Sequence, residues 1–356
     1  MCDKKFWVKI MLFGTVLSMI LIRLNTVFIL KEYPMGPNVN ETIKPYILTE
    51  KNDGFYAMEK NSLDVVFIGS SNIHCNINPN VIWNEYGIAS YDFSSDMQDL
   101  GTSYYYLKQM FKRQSPAVVV IDVWEDGNVE EIDSLAAHFA FDHMKLDKVK
   151  IEAVYNRAKE NWLEMLFPLI TYHERWKELK QTDFSYKKRD YNILKGSVIY
   201  MVTNEKPKPK LPEHIESSKL PERTMFWLDS IIKLCNDNNC ECIFIKTPYS
   251  YCDEIVFSYL EGMQNYCNER KIPFLYMNKL VDQIGIDFTN DYVDEVHLNW
   301  NGQVKLSNYS GEYISSNYHI KNKCKDKEFQ KWNDDYEEMM WYVDNFEKNY
   351  SNMNKK

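Results

Sequence analysis

Short runs that are apolar on both faces alternate along this chain with stretches of helical spacing, and that alternation constrains the fold before any motif is considered. Residues 64–69 read DVVFIG, 88–93 IASYDF, 117–123 AVVVIDV, 241–247 ECIFIKT and 272–277 IPFLYM. Runs that are apolar at successive positions belong in the middle of a parallel sheet covered on both sides. Between them, Asn78-Pro79 makes an N-cap and first-turn pair for a helix through Tyr86. Leu100, Tyr104, Leu107 and Phe111 recur at three- and four-residue spacing over 99–113, and 223–238 and 253–270 follow comparable patterns. The expected fold is α/β, a three-layer α/β/α sandwich with a mainly parallel sheet.

Residues 125–220 break this rhythm. They are rich in aromatic and charged residues at helical spacing and end in the proline-spaced KPKPKLPE at 206–213. They read as a helical insertion between the third and fourth strands. The α/β domain is then assembled from 61–124 and 221–322, behind an irregular linker over 32–60 and ahead of a charged C-terminal tail over 323–356, helical in part. At the N-terminus, residues 10–30 form a mostly apolar run that fits one spanning helix of about 20 residues. Arg23 interrupts it near the outer third, from where a guanidinium reaches the interface. Lys4, Lys5 and Lys9 precede the run, so the positive-inside tendency puts the N-terminus in the cytoplasm and the main domain outside. No A-x-A-like cleavage site follows. Residues 1–31 are therefore expected to be a cytoplasmic tip and a retained, single-pass signal-anchor in the cell membrane.

Glycine and charge narrow the function. The chain has 12 glycines, no two closer than nine residues. The dinucleotide fingerprint GxGxxG, the phosphate loop GxxxxGK[ST] and the GxSxG elbow all need closer pairs, so none is present. Lys plus Arg number 42 and Asp plus Glu 51, a net charge of −9 with the basic residues scattered, which argues against a nucleic-acid partner. The eight cysteines have spacings that leave their pairing open, and no histidine lies near Cys235–Cys242, so no zinc site is expected. His138, Asp142 and His143 read as surface residues of a helix rather than metal ligands.

The chemistry-bearing residues lie at the two ends of the α/β pattern. Ligands of open parallel sheets sit outside the carboxyl ends of the strands, and the first strand ends in Gly69-Ser70-Ser71-Asn72. Beyond the fifth strand come Asp294-Glu295-Val296-His297-Leu298-Asn299 at a loop-to-helix junction. A carboxylate three residues before a histidine can orient the imidazole through Nδ1–H while Nε2 faces a serine. Lys246, at the end of the fourth strand, is placed to meet an anionic or polyol substrate. His173 and Arg175 of YHERW are candidates to face the cleft from the insertion.

With VFIGSSN at 66–72 and DEVHLN at 294–299, the chain resembles the SGNH (GDSL-type) hydrolase superfamily over about 60–125 and 240–320. It is most similar to the membrane-anchored bacterial envelope branch of the alginate O-acetylation and lipoteichoic-acid D-alanylation type. Ser70 stands where the family usually has aspartate. The resemblance implies Ser71 as nucleophile, His297 as base and Asp294 as its orienting carboxylate, with no cofactor. It also implies an oxyanion hole in which Ser94 replaces a second-block glycine. DVWEDGN at 122–128 carries an acidic pair where the family has an asparagine, leaving Gln98 or Asn72 as substitute amide donors. The function implied is an extracytoplasmic serine acyltransferase or esterase acting on O-acyl groups of a cell-envelope polysaccharide or teichoic-acid-like polymer, working beside a membrane-bound O-acyltransferase. The alternative is a catalytically impaired scaffold or glycan-binding subunit.

Overall fold

The structure, a computed structural model, describes residues 4–30, 41–43, 48–123, 130–184, 192–212, 215–251 and 253–346. In chain order its elements begin with α1 (Lys4–Phe28), α2 (Leu48–Ala57), β1 (Val65–Ile68), α3 (Ser71–Asn76), α4 (Pro79–Tyr86), β2 (Ser90–Asp92), α5 (Leu100–Phe111) and β3 (Val118–Asp122). The segment after β3 holds α6 (Ser134–Phe141), α7 (Lys148–Arg157), α8 (Trp162–Leu166), α9 (Leu169–Tyr172), a 3-10 turn (His173–Lys177) and α10 (Gln181–Phe184). The fold then closes with α11 (Glu222–Asp237), β4 (Glu241–Lys246), α12 (Glu254–Arg270), β5 (Phe274–Tyr276), α13 (Val281–Ile284), α14 (Trp300–Asn317) and α15 (Gln330–Asp344).

The five strands form one wholly parallel sheet in the order β2-β1-β3-β4-β5, with Val65 opposite Val118, Val118 opposite Glu241 and Phe244 opposite Phe274. Alternate side chains feed two separate cores, as the period of two along a strand requires. Val66, Ile68, Val119, Ile121 and Phe244 pack with residues of α5, α11 and α12, whereas Val65, Phe67, Val118, Val120, Ile243 and Ile245 pack with α3, α13 and α14. This is the three-layer α/β/α sandwich. The strands are shorter than the apolar runs by one or two residues at several ends. In α4, Asn78 Oδ1 accepts from the Asn80 and Val81 amides, and the helix stops at Gly87 with φ 65°. A Cβ there would lie 2.3 Å from Asn322 Oδ1 and 2.7 Å from the Lys323 amide, so this turn requires glycine on two counts.

Two regions differ from their expected character. Within the stretch read as an irregular linker lies α2, whose Phe55 is buried and stacks on Phe93 with ring centroids 3.9 Å apart. Within the stretch read as a charged tail, α15 packs on α4. Trp332 meets Trp83 at 5.1 Å, Trp83 Nε1 donates to Asn333 Oδ1 at 2.8 Å, and Lys195 pairs with Asp335 where both are buried. In α15 the charge on the outer face masks the apolar side turned inward, whereas in α2 a lysine, Lys51, is itself buried beside Phe55 and interrupts the apolar pattern.

α1 is long and apolar enough to cross a membrane, and its side chains from Phe6 to Ile22 are largely exposed. Its last turns are bonded to the rest of the described molecule. Arg23 donates to the Phe184 carbonyl, Asn25 Oδ1 accepts from the Leu169 amide at 2.9 Å, and His143 Nε2 donates to the Leu30 carbonyl at 2.8 Å.

Candidate active site

The end of β1 and the start of α3 place two adjacent serines in different roles. Ser70 is the N-cap of α3: its Oγ accepts from the Asn72 amide at 3.3 Å and donates to Asp122 Oδ2, at the end of β3, at 2.9 Å. The two strand ends approach closely at Gly69, where a Cβ would fall 2.6 Å from the Asp122 Cβ and 2.9 Å from Ile73 Cγ1. Ser70 thus satisfies the helix terminus and ties it to β3. Ser71, the first residue of the helix, is left to turn its hydroxyl outward, and its Oγ lies 2.8 Å from His297 Nε2.

His297 is held from three directions. Its Nδ1 donates to Asp294 Oδ2 at 2.7 Å, which sets the tautomer and leaves Nε2 as acceptor for the serine. The other oxygen of Asp294 accepts from the Val296 and His297 amides, both at 2.9 Å. Asn76, at the end of α3, grips the backbone on either side of the histidine: it accepts from the Leu298 amide at 2.7 Å and donates to the Val296 carbonyl at 2.9 Å. The Tyr200 ring lies nearly parallel to the imidazole, at 18° and 6.4 Å between centroids. Partial burial pushes the Asp294 carboxyl upward, but the hydrogen bonds from the His297 ring and the two amides outweigh it and hold it below the usual carboxylate range.

Behind α3 lies a polar cluster. His74 is buried, with Nδ1 2.9 Å from Ser94 Oγ and 3.1 Å from Lys51 Nζ, and Nε2 3.2 Å from Asp96 Oδ1. Burial, followed by the nearby Lys51, lowers the His74 pKa to about 4, so the ring is neutral near pH 7. Burial raises the Asp92 carboxyl well above its ordinary value, opposed by Lys51. Neither Asp92 oxygen has a hydrogen-bond partner among the described residues.

The other sequence candidates fall in varied places. The hydroxyl of Ser94 is engaged by His74, so it is not a side-chain donor to the site. Gln98, a candidate amide donor, instead accepts from Ser95 Oγ at 3.0 Å and donates to Ser103 Oγ at 3.1 Å, so its carboxamide closes its own turn. Asn72 donates through Nδ2 to Tyr249 Oη at 3.3 Å, while its Oδ1 is buried without a partner among the described residues. Lys246 is fully buried, with Nζ 3.8 Å from the Tyr249 ring centroid, so it braces the ring beside Asn72 rather than meeting substrate in an open crevice. His173 and Arg175 do not join Ser71. His173 Nδ1 donates to the Ile170 carbonyl at 2.7 Å, and Arg175 donates to the Phe28 carbonyl and, at 2.9 Å, to that of Ile29, capping the end of α1. His138 and Asp142 are a packed pair rather than surface residues, 3.0 Å apart, with Tyr172 Oη donating to Asp142 at 2.5 Å. The acidic pair after Trp124 lies outside the described residues.

Asn76, His74, Lys51, Asp122 and Tyr200 went unread in the sequence. Asp122 had a usable signal, as an acid ending a buried strand beside the one that carries the serines. Lys51 and Tyr200 had none, since they come from segments read as linker and insertion.

No family model and no curated protein matches the chain. Solved structures similar to it include one described as a lipolytic protein of the G-D-S-L family from Desulfitobacterium hafniense. It is 14% identical with a TM-score of 0.36, over 70% of this chain and 97% of that one. A second, described as an acylhydrolase from Bacteroides fragilis, is 12% identical with a TM-score of 0.39, over 75% and 94%. A third, described as a GDSL-like lipase from Bacteroides thetaiotaomicron, is 12% identical with a TM-score of 0.35, over 71% and 88%.

Proposed function

We propose that the protein is a serine esterase or acyltransferase of the SGNH type acting on O-acyl groups of a cell-envelope polysaccharide or teichoic-acid-like polymer. The observation that supports it is the unbroken hydrogen-bonded chain from Ser71 Oγ through His297 to Asp294. In this reading Ser71 Oγ attacks the ester carbonyl as its proton passes to His297 Nε2, and Asp294 stabilises the resulting imidazolium. The tetrahedral oxyanion is received by backbone amides of Ser71 and Ser94. The alcohol leaves with the proton from His297, giving an acyl-Ser71 ester and needing no cofactor. His297 then deprotonates the second acceptor, water in an esterase or a polymer hydroxyl in a transferase, whose oxygen attacks the acyl carbonyl; the acyl–Ser71 bond breaks and Ser71 Oγ takes the proton back from His297. The transferase outcome fits a domain held by α1 outside the membrane, the N-terminus cytoplasmic, beside a membrane-bound O-acyltransferase that supplies the acyl group.

One observation favours a second reading, a catalytically impaired scaffold or glycan-binding subunit. With Gln98 engaged in its own turn and Asn72 turned to Tyr249, the side-chain oxyanion donor is weak. Losing one such donor costs about 2.7–4 kcal/mol of transition-state stabilisation. Treating the full-length protein with an activated alkyl phosphonate separates the readings. An adduct on Ser71 that disappears in His297→Ala is the expected result, and absence of any adduct on Ser71 overturns the enzyme.

A further inference from the structure

The bonds that fasten the end of α1 to the helical segment after β3 fix the depth at which that segment meets a bilayer. From Phe6 to Ile22 the helix exposes Phe13, Val16, Met19, Ile20 and similar side chains. At about 1.5 Å per residue that stretch is about 25 Å long, short of the roughly 30 Å of a bilayer's hydrocarbon core. From Arg23 onward the helix is bonded into the domain, by Arg23 to Phe184, Asn25 to Leu169 and Arg175 to Phe28 and Ile29. If α1 spans, the elements carrying those partners, α9, the 3-10 turn and α10, must reach the depth of the headgroups to make up the missing length.

The exposed side chains of these elements, and of α8 just before them, suit that position. Trp162, Leu163 and Phe167 at α8, Ile170 on α9, Trp176 in the turn and Phe184 on α10 are all exposed, Trp176 by 64% and Phe184 by 50%. A soluble surface seldom gathers so many large apolar groups, whereas aromatic side chains concentrate where headgroups meet hydrocarbon. Over 159–184 the basic residues Lys159, Arg175, Lys177 and Lys180 face Glu160, Glu164, Glu174, Glu178 and Asp183, four against five, so attraction to anionic lipid is not the basis.

We propose that α8, α9, the 173–177 turn and α10 form an interfacial platform that lies in the headgroup layer of the leaflet from which the domain emerges. Two attachments, the span and the platform, would then set the catalytic domain at one height and orientation above the bilayer. The proposal rests on α1 being a retained anchor, and its test separates the two. The photoreactive residue p-benzoylphenylalanine is placed singly at Phe13, Trp176, Phe184 or Ile255 in the full chain, reconstituted in phosphatidylcholine vesicles and irradiated, and adducts are identified by mass. Ile255, on α12 and 80% exposed, is the aqueous control. Lipid adducts are expected at Phe13, Trp176 and Phe184, about tenfold or more above Ile255, and unchanged when phosphatidylglycerol replaces part of the phosphatidylcholine. Adducts at Phe13 with none at Trp176 and Phe184 overturn the platform and leave the anchor standing. No adduct at Phe13 overturns both. Protein–protein adducts at Trp176 and Phe184 in place of lipid ones, or lipid adducts there only with phosphatidylglycerol, also overturn the platform.

Discussion

Asn76 bonds the backbone immediately before and after His297 while sitting on the same short helix as Ser71, so one carboxamide sets the spacing between hydroxyl and imidazole. Asn76→Ala leaves the buried Leu298 amide and the half-buried Val296 carbonyl without this partner, which costs about 1–3 kcal/mol. Chemical denaturation is expected to show that loss, together with slower phosphonate labelling of Ser71; wild-type labelling in a destabilised variant would mean the loop keeps its place without the grip. Asp92 gives a prediction of the opposite sign. Its folded carboxyl titrates well above the ordinary 3.8 because burial disfavours the charge. The folded chain therefore holds a proton that the unfolded chain releases, and stability falls as pH rises from the unfolded toward the folded pKa. Asp92→Asn removes that loss, so its thermal midpoint should exceed wild type at pH 7 and match it near pH 4. At this scale the sequence was legible where chemistry is local: Ser71 follows a strand end, and Asp294 and His297 share one turn. Asn76, His74 and Lys51 act through contacts between distant segments, which no spacing records.

The helices and strands of the sandwich were legible because two-sided burial writes continuous apolar runs and one-sided burial writes a period near 3.6. α15 was harder because its outer face is strongly charged, although Trp332, Tyr336 and Met339 follow helical spacing. Beside its packing on Trp83, its attachment includes one buried ion pair, Lys195 with Asp335. Burial lowers Lys195 to about 8 against the opposing pull of Asp335, and the ammonium also lies 4.7 Å from the Trp332 ring centroid. Asp335→Ala strands a buried cation and should cost about 3–5 kcal/mol, whereas the double variant Lys195→Met with Asp335→Leu should recover most of it. Urea titrations of the two variants check this. A double variant as unstable as the single one would mean that the ion pair itself, rather than the orphaned charge, carries the attachment.

For the whole molecule, the sandwich and the helical segment after the third strand could be read ahead of the structure, but how that segment meets α1 could not. Arg175 and His173 are only candidates to face the cleft in the sequence, since aromatic and charged residues in an insertion carry no mark of which neighbour they address. Arg175 instead caps the end of α1 while His173 bonds the Ile170 carbonyl, and the depth argument drawn from α1 depends on those bonds. The separation of Ser71 from His297, 226 residues along the chain, has a consequence in time. A chain emerging N-terminus first makes its serine early and the imidazole proposed above as its base late. Until β5 and the loop after it have joined the sheet, the hydroxyl has no base. On the proposed mechanism, reactivity at Ser71 would report completed assembly, and a chain stalled before residue 297 would stay chemically silent.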